Sequence, residues 1–450
     1  MLVMASRRRW LARAALLPLA PAVPALSAAC GATASQSGSG PAPPAGLRRD
    51  VTVQVMTGIS TADQALFEGV INAWREAHAA GPRVEWGTPG GDIAQKLQAL
   101  LAAGTPPDVV AMSPSLAVGF ADRGQLLALD PFFRRERYDL SDFFDLAVSQ
   151  YQWKGKHYGL PRGMSNQSLF VNQTLFDQVG LPYPPTKVEA GGWDFDAFLH
   201  TALRLTKRAG SQVEQYGFIV GRGLRGGWGQ WVWTNGAEIF NRDFTRCTLD
   251  DPRAVEALQF MQDLIYKYRV APTPDDESAA GGASTLFIGA GKAAMRINPV
   301  ASVEQHRRAS FKWDYAVNPR GKGKRLTTGG GVGWEIVAAT SHPDESWAVF
   351  RHLVSAESAK LMATLWYPGR KSALEYLLKL DPDLPPRSRW VGADGQKIVH
   401  PDPIFPAWEE IQREIINPAL TALWQNEKPA AQVVEDIVPK VNAALASPSK

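Results

Sequence analysis

The sequence predicts an α/β protein that folds as two lobes. Between residues 51 and 112, strand patterns alternate with helix patterns, which is typical of a parallel sheet covered by helices. The chain has 450 residues, whereas single hydrophobic cores stop growing at about 250–300 residues. Its composition, 45% hydrophobic and 20% charged, is ordinary for a globular protein.

The first elements follow from hydrophobic periodicity. Apolar and polar β-formers alternate over residues 51–55 and predict a strand. Apolar side chains at three-to-four spacing from Ala65 to Trp74 predict a helix, which Ser60 can cap. The same arguments predict strands at 84–86 and 108–112 with a helix at 93–102 between them.

The rest of the chain contains both helix and strand patterns. A helix is predicted up to residue 205 with Asp194 as its N-cap, because a carboxylate there can accept from the first free amides. A turn and a short strand are predicted within 153–161. Further predicted strands lie at 169–171, 216–220, 292–297 and 336–339, and further helices at 251–268, 345–353, 358–364 and from 402 onward.

The N-terminus has the order of a secretory signal peptide over residues 1–29. Arginines at 7–9 precede an apolar run at 14–26 and small residues before Cys30. The run is too short to span a bilayer. Paired arginines before Trp10-Leu11 resemble a twin-arginine export signal, and a general secretory signal is the alternative.

Cys30 resembles the acylated cysteine of a bacterial lipoprotein, with ordinary cleavage beside an incidental cysteine as the alternative. Residues 30–49 contain the run SQSGSGPAPPA and predict a flexible tether. We therefore expect an exported protein, lipid-anchored in the periplasm or on the outer face of the cytoplasmic membrane. The other cysteine, Cys247, is expected to be a lone structural thiol.

Charge and motif spacing argue against several function classes. Four arginines in residues 1–29 account for the whole net charge of +4, so nothing points to nucleic acid as a partner. The seven His residues lack metal-ligand spacing, and no G-x-S-x-G elbow or paired catalytic carboxylates stand out. We therefore assign no catalytic residue, metal or cofactor.

Residues 221–226 fit the pattern G-x-G-x-x-G of dinucleotide-binding loops. Such a site needs a helix immediately after the loop, and residues 227–233 do not look like a helix start. The run Ala290-Gly291-Lys292-Ala293 likewise lacks the glycine and hydroxyl of a phosphate loop. Both cofactor interpretations are disfavoured.

Several stretches together resemble bacterial extracellular solute-binding proteins of the sugar-binding class, the receptors of ABC importers. The matching stretches are PPDVVAMSPS, ADRGQLLALDPFF, WKGKHYGLPRGMSNQSLFVNQTLFDQVGLPYPP, WDFDAFLHTALRLTK, TNGAEIF, DDPRAVEALQFMQDLI, LFIGAGKAAM and GGGVGWEIVAATSHPDESWAVFRHLVS. The resemblance implies a two-lobed, periplasmic-binding-protein-like (type II) fold with a ligand cleft between lobes that close on the ligand. We expect an N-terminal lobe of residues 50–160 and 285–328, and a C-terminal lobe of residues 161–284 and 329–450.

Candidate ligand-binding residues come first from the sheet. Ligands bind at the carboxyl ends of parallel strands, which points to Thr57 and Ser113, with helix capping as the alternative for each. Trp228 and Trp231 lie in a Gly-rich, apparently irregular segment and could stack on a sugar ring. Core packing is the competing interpretation for each indole.

The resemblance adds residues near the expected lobe crossings and a cleft-lining loop. These additional candidates are Asn166, Gly330, Gly331, Trp334, Trp366 and Arg370. The competing interpretation is a turn for Asn166, a plain hinge for the two glycines and a surface position for Arg370.

The sequence thus predicts a monomeric receptor that binds a small solute, a mono- or oligosaccharide, and delivers it to the permease of an ABC importer. A secreted carbohydrate-active hydrolase would need two positioned carboxylates and turnover. A ligand-free surface scaffold of the same fold, or an oxidoreductase that uses the glycine-rich loop, remain alternatives.

Overall fold

The computed structural model describes residues 46–59, 64–363, 366–380 and 383–446. The chain divides into two units, Met1–Pro43 and Pro44–Lys450, and the described residues belong to the second. The predicted signal peptide, Cys30, the tether up to residue 45 and the Ser60 cap lie outside the described residues.

A mixed sheet of eight strands organises the described chain. Its order is β10-β6-β11-β3-β1-β2, with β9 also pairing with β6 and β12 with β11. Strands β2, β1 and β3 are parallel, whereas β11 runs antiparallel to both β3 and β6. Two hairpins, β4–β5 and β7–β8, stand apart. The strands are β1 Thr52–Met56, β2 Arg83–Gly87, β3 Val109–Met112, β4 Gln152–Trp153, β5 Lys156–His157, β6 Gly159–Asn172, β7 Lys207–Ala209, β8 Gln212–Gln215, β9 Met295–Pro299, β10 Trp313–Ala316, β11 Thr327–Ile336 and β12 Val399–Pro401.

Helices cover the sheet and fill the C-terminal part. They are α1 Gln64–Ala77, α2 Ile93–Ala102, α3 Pro114–Asp122, α4 Asp130–Glu136, α5 Asp145–Ser149, α6 Gln173–Val179, α7 Phe195–Leu205, α8 Trp228–Thr234, α9 Pro252–Tyr266, α10 Pro274–Ala279, α11 Val303–His306, α12 Pro343–Leu353, α13 Ala356–Leu361, α14 Lys371–Lys379, α15 Trp390–Gly395, α16 Trp408–Ile411, α17 Asn417–Trp424 and α18 Ala430–Ala446. Short 3₁₀ turns lie at Val300–Ser302 and Gln396–Ile398, and π-helical turns at Thr285–Gly289 and Gln412–Ile416.

Most predicted elements are confirmed, and their caps explain their starts. The Asp194 side chain accepts from the Ala197 amide at 3.0 Å and opens α7 as predicted. Asn172 ends β6 and caps α6 at once, because its side chain accepts from the Leu175 amide. Two strand predictions are wrong: residues 216–220 form only isolated bridges, and of the strand expected at 336–339 only Ile336 belongs to a strand, as the last residue of β11, while Val337 forms an isolated bridge and a turn follows.

β6 is a 14-residue strand that the sequence indicated only as two shorter pieces. Its first half pairs with β11, from Gly159 to Asn166, and its second half pairs with β9 and β10. A bulge at Val332/Gly333 shifts the register of the first half. β6 and β11 therefore form the connection between the two ends of the sheet.

The buried apolar residues fall into separate cores at the two ends of this connection. Core 1 contains Phe170 from β6 together with α7, α8, α9 and α18. Core 2 contains Val53, Trp74 and Leu160, and core 3 lies beside it around Met112 and Phe120. β6 contributes Leu160 to core 2 and Leu169 to core 1, so the strand enters both.

The cores group the chain differently from the expected lobe boundaries. Met295 and Trp313, from the segment 285–328 expected in the N-terminal lobe, pack in core 1. Trp334 and Phe350, from the segment 329–450 expected in the C-terminal lobe, pack in core 2. The reason is strand order, because β9 and β10 pair with the second half of β6 while β11 pairs with the first half and β3. The lobe boundaries themselves stay a prediction.

The last residues of the expected tether are in contact with the folded body. Leu47 packs against core 2, and the Arg48 Nε atom lies 2.9 Å from the Glu345 carboxylate. That ion pair and its hydrogen bonds lower the pKa of Glu345 to about 2. Within the described part of the chain, no helix is both long and apolar enough to cross a bilayer.

Candidate functional site

Polar and aromatic side chains meet where the carboxyl end of β1 reaches β6 and β11. The Arg162 Nη1 group on β6 donates a hydrogen bond to the hydroxyl of Thr57, which directly follows β1. The guanidinium carbon lies 3.6 Å from the ring centre of Trp366 and 5.5 Å from that of Trp334. Phe67 stacks on Trp334 with ring centres 5.9 Å apart. We call these five residues the Arg162 cluster.

A glycine lets the Trp366 segment approach β6. A Cβ atom at Gly163 would lie 2.9 Å from the Trp366 Cβ atom, so only glycine leaves room there. The next residue fixes the same contact, because the Met164 amide donates to the Tyr367 carbonyl at 2.7 Å. Arg162 is 9% exposed, so the indole and the strand together nearly cover its side chain.

Glu335 lies beside this cluster and is fully buried. One carboxylate oxygen accepts from the Met112 amide at 3.0 Å, and the other has no hydrogen-bond partner among the described residues. Burial raises the pKa of Glu335 well above its usual range, against the opposing effect of Arg162. Burial also lowers the pKa of Arg162 to about 9, so its guanidinium stays charged at neutral pH.

A second arginine, Arg225, lies against β11. Its Nη2 atom is 2.6 Å from the Asp402 carboxylate, and its guanidinium occupies the space that a Cβ atom at Gly330 would fill. Burial lowers the pKa of Arg225, but the Asp402 ion pair outweighs that effect and the net shift is upward. Gly330 is therefore a glycine because the arginine packs directly on the strand.

A polar contact joins the part of the molecule around core 3 to the part around core 1. The Ser115 hydroxyl on α3 donates to the Glu409 carboxylate on α16. α3 contributes Phe120 to core 3, while α16 contributes Trp408 to core 1. Ser113, which precedes α3, makes no capping hydrogen bond, and its hydroxyl lies 3.3 Å from that of Ser115.

The structure therefore brings several of the predicted residues together. Thr57, Trp334 and Trp366 belong to the Arg162 cluster, and Ser113 lies beside the Ser115–Glu409 contact. Gly330 and Gly331 pair with Ser165 and Met164 on β6.

Asn166 lies on β6 between the two cores and is fully buried. Its amide nitrogen donates to the Gly392 carbonyl at 2.6 Å, while its carbonyl oxygen is buried without a hydrogen-bond partner among the described residues. The prediction that Asn166 binds ligand stays untested, and the unsatisfied oxygen is compatible with it.

The segment that carries Trp228 and Trp231 is helix α8, so two expectations were wrong: that this segment is irregular, and that no helix starts directly after the glycine-rich run 221–226. Helical spacing places both indoles toward core 1, where Trp231 packs among phenylalanines. Its ring centre lies 4.8 Å from that of Phe195 and 5.6 Å from that of Phe260. Ligand contact by these two indoles stays a prediction, and their burial favours the core-packing alternative.

Arg370 is occupied by contacts with a segment distant from it in the sequence and with Val354. Its guanidinium donates to the Val354 carbonyl, the Asp142 carboxylate and the Tyr138 hydroxyl, and lies 3.9 Å from the ring centre of Phe143. These contacts tie α14 to the segment before α5. A ligand role for Arg370 stays a prediction that would require it to leave these partners.

Sequence reasoning missed Arg162, Arg225, Glu335, Asp402 and Glu409. A signal existed only for the first, since a cation between Pro161 and Gly163 in an otherwise uncharged strand is unusual. Asp402 and Glu409 are ordinary acidic residues until the fold places them near β11 and α3. No group of three or more potential metal ligands exists in the described ranges.

Comparisons with known proteins agree with this architecture. An ABC substrate-binding protein from Listeria monocytogenes, solved in complex with cycloalternan, superimposes with a TM-score of 0.78 at 21% identity, covering 89% of this chain and 100% of that one. UgpB from Mycobacterium tuberculosis, in complex with glycerophosphocholine, gives a TM-score of 0.74 at 20% identity, covering 88% and 98%. The predicted two-lobed, type II solute-binding fold is thereby confirmed.

The sequence comparisons identify the family. A Brucella abortus protein described only in general terms as a binding protein is 25% identical over 380 residues, which is 78% of this chain and 83% of the relative. The family model for "Bacterial extracellular solute-binding protein" matches residues 58–360. The chain therefore belongs to the bacterial extracellular solute-binding protein family.

Proposed function

We propose that this protein is the extracellular receptor of an ABC importer, which captures a small solute by closure of two lobes and delivers it to the permease. The observation that carries the proposal is the pair β6 and β11. These strands connect the separate cores and carry the Arg162 cluster and Gly330 between them. Two bodies joined by such strands can rotate about them and cover a ligand.

The cores also support a revised assignment of the lobes. We place residues 46–165 and 329–363 in the first lobe, and residues 166–328 and 366–446 in the second. The Ser115–Glu409 contact then bridges the lobes, since α3 lies in the first and α16 in the second. Closure stabilised by such contacts is a population shift that a ligand touching both lobes would increase.

A sugar or a related polyhydroxylated solute is the ligand class that this site favours. The partly exposed indole of Trp366 suits the apolar C–H faces of such a molecule, and the hydroxyls of Thr57 and Ser115, which bond Arg162 and Glu409 in this structure, suit its polar rim. Proteins of the same fold have been solved with cycloalternan, maltose and glycerophosphocholine. The protein binds without chemistry, exported and anchored through Cys30.

A thermal-shift screen of the full chain against sugars, polyols and glycerophosphodiesters tests the proposal. A ligand that binds only the folded state stabilises it by about 2.7 kcal/mol at a hundred times its dissociation constant. We expect one solute class to raise the unfolding midpoint, with the solute recovered unchanged after incubation. Product formation would favour the hydrolase alternative, and a flat response across the panel would favour a ligand-free scaffold.

A further inference from the structure

We propose that the solute carries an anionic group, a carboxylate or a phosphate, and that Arg162 is the residue that binds it. This inference deepens the proposed function and rests on it. The observation behind it is a buried guanidinium that lacks a counter-ion in the part of the chain that the structure describes.

Other buried arginines show how this protein normally satisfies such a group. Arg325, also 9% exposed, donates to the backbone carbonyls of Asn318, Val188, Ala190 and Trp193. Arg351, with a side chain 9% exposed, lies 2.7 Å from the Glu136 carboxylate. In both cases the desolvated charge is met by carboxylate or carbonyl oxygens.

Among the described residues, Arg162 has neither kind of partner. Its Nη1 group donates to the Thr57 hydroxyl, which carries no charge, and its buried Nε atom meets no hydrogen-bond acceptor in the described ranges. No described carboxylate oxygen lies within 4.0 Å of its nitrogens. The indole of Trp366 covers one face of the guanidinium but cannot replace a counter-ion, since a cation–π contact is weaker than an ion pair and leaves the N–H groups without acceptors.

The nearby carboxyl group of Glu335 does not supply the missing counter-ion of Arg162. The Glu335 carboxylate lies more than 4.0 Å from the Arg162 nitrogens, and burial raises the pKa of Glu335, which disfavours its charged form. Burial of an uncompensated charge costs several kcal/mol, which a protein recovers only when a partner arrives. In a receptor, that partner is an oxyanion of the solute.

The geometry also indicates how the anion binds. Thr57 occupies Nη1, and Trp366 lies over one face, so the edge formed by Nε and Nη2 is left without a hydrogen-bond partner among the described residues. A guanidinium edge presents two parallel N–H groups that fit the two oxygens of a carboxylate or phosphate. Trp366 is the partly exposed indole of the cluster and lies over the guanidinium, so a solute that binds Arg162 would have to move this indole or approach beside it.

The test compares matched neutral and anionic solutes on the full chain at equal ionic strength. The pairs are glucose with glucuronate, glucose with glucose 6-phosphate, and glycerol with glycerol 3-phosphate, with inorganic phosphate as a further probe. We expect an anionic member to raise the unfolding midpoint where its neutral partner does not. Arg162→Met should weaken that binding by at least about 30-fold, because loss of one partner of a buried charged pair costs 2 kcal/mol or more.

A second measurement needs no ligand. Arg162→Met should leave the midpoint of the ligand-free protein unchanged or raise it, because it removes an uncompensated buried charge. The matched control Arg351→Met should lower the midpoint, because it removes the cation nearest to the Glu136 carboxylate, which keeps a hydrogen bond from Trp347 and a longer contact to Arg135. If Arg162→Met lowers the midpoint as much as Arg351→Met does, the charge is already neutralised inside the protein and the inference fails.

The outcomes separate this inference from the proposed function. Equal binding of a neutral sugar by the wild type and by Arg162→Met would overturn the anionic ligand and leave the receptor function standing. An equal shift with inorganic phosphate alone would also overturn it, since the site would then bind any small anion. A flat panel counts against the receptor function, and the ligand-free comparison then decides the claim about Arg162.

Discussion

The Ser115 hydroxyl and the Glu409 carboxylate form a hydrogen bond between residues 294 positions apart in the chain. It joins α3, which packs in core 3, to α16, which packs in core 1. The contact is therefore a connection between the two ends of the molecule rather than part of either core.

We predict that Ser115→Ala weakens solute binding by about 3–10-fold, because one hydrogen bond to a charged group that favours closure is lost. Unfolding stability should change little, since neither core loses an apolar contact. Isothermal titration calorimetry with the solute that the thermal screen identifies would measure the change. Ser278→Ala is the control, because Ser278 is exposed on α10. Equal effects of both variants would contradict a bridging role.

Gly330→Ala should destabilise the protein by about 1–3 kcal/mol, because the added methyl group would occupy the position of the Arg225 guanidinium. Chemical denaturation would measure this loss. Gly223→Ala is a matched control in the loop before α8, where an added Cβ atom meets nothing within 4 Å. If Gly330→Ala is as stable as Gly223→Ala, Arg225 can move away from β11 without cost.

Trp231→Ala should lower the free energy of unfolding by about 3–5 kcal/mol, because it leaves a large cavity among Phe195, Phe198 and Phe260. Trp390→Ala, which truncates an indole that is 47% exposed, should change it by less than about 0.5 kcal/mol. Denaturation curves of both variants test this expectation. Loss of solute binding by Trp231→Ala without loss of stability would instead support the stacking role expected from the sequence.

Acidification should destabilise the protein through His306. This residue is fully buried against Phe170, its Nδ1 atom lies 2.9 Å from the Ser302 carbonyl, and its Nε2 atom has no hydrogen-bond partner among the described residues. Burial lowers the pKa of His306 to about 4. A proton on Nε2 would place a charge among aromatic rings, so the folded state resists protonation.

The unfolded chain binds that proton near pH 6.5, well before the folded protein does. Stability from His306 is therefore complete above about pH 6.5 and is lost as the pH falls to about 4, by roughly 3 kcal/mol in total. Unfolding free energies measured between pH 4 and 8 should show this loss. His306→Gln, which cannot titrate, should flatten the profile in this window, and an unchanged slope would assign the effect to other groups.

Local chemistry predicted much of the fold. Alternating β-formers and three-to-four apolar spacing located β1, α1 and α2, and the short capping side chain of Asp194 marked the start of α7, because these features depend only on near neighbours in the chain. The stretches that resemble bacterial solute-binding proteins extended the prediction from single elements to the two-lobed fold. The glycine-rich segment before α8 misled the same reasoning, since packing in core 1 overrides the weak helix propensity of Gly and Trp.

The site itself depended on long-range contacts. Thr57, Trp334 and Trp366 could be proposed as site residues from strand ends and from the family resemblance. Their common partner Arg162 could not, because no local sequence pattern shows which arginine becomes buried and desolvated. Strand order decided that β9 and β10 pack in core 1 while β11 carries Trp334 into core 2. The sequence by itself determined the class of protein and many of its elements. Only the tertiary structure decided which charges are buried together, because desolvation depends on neighbours far apart in the chain.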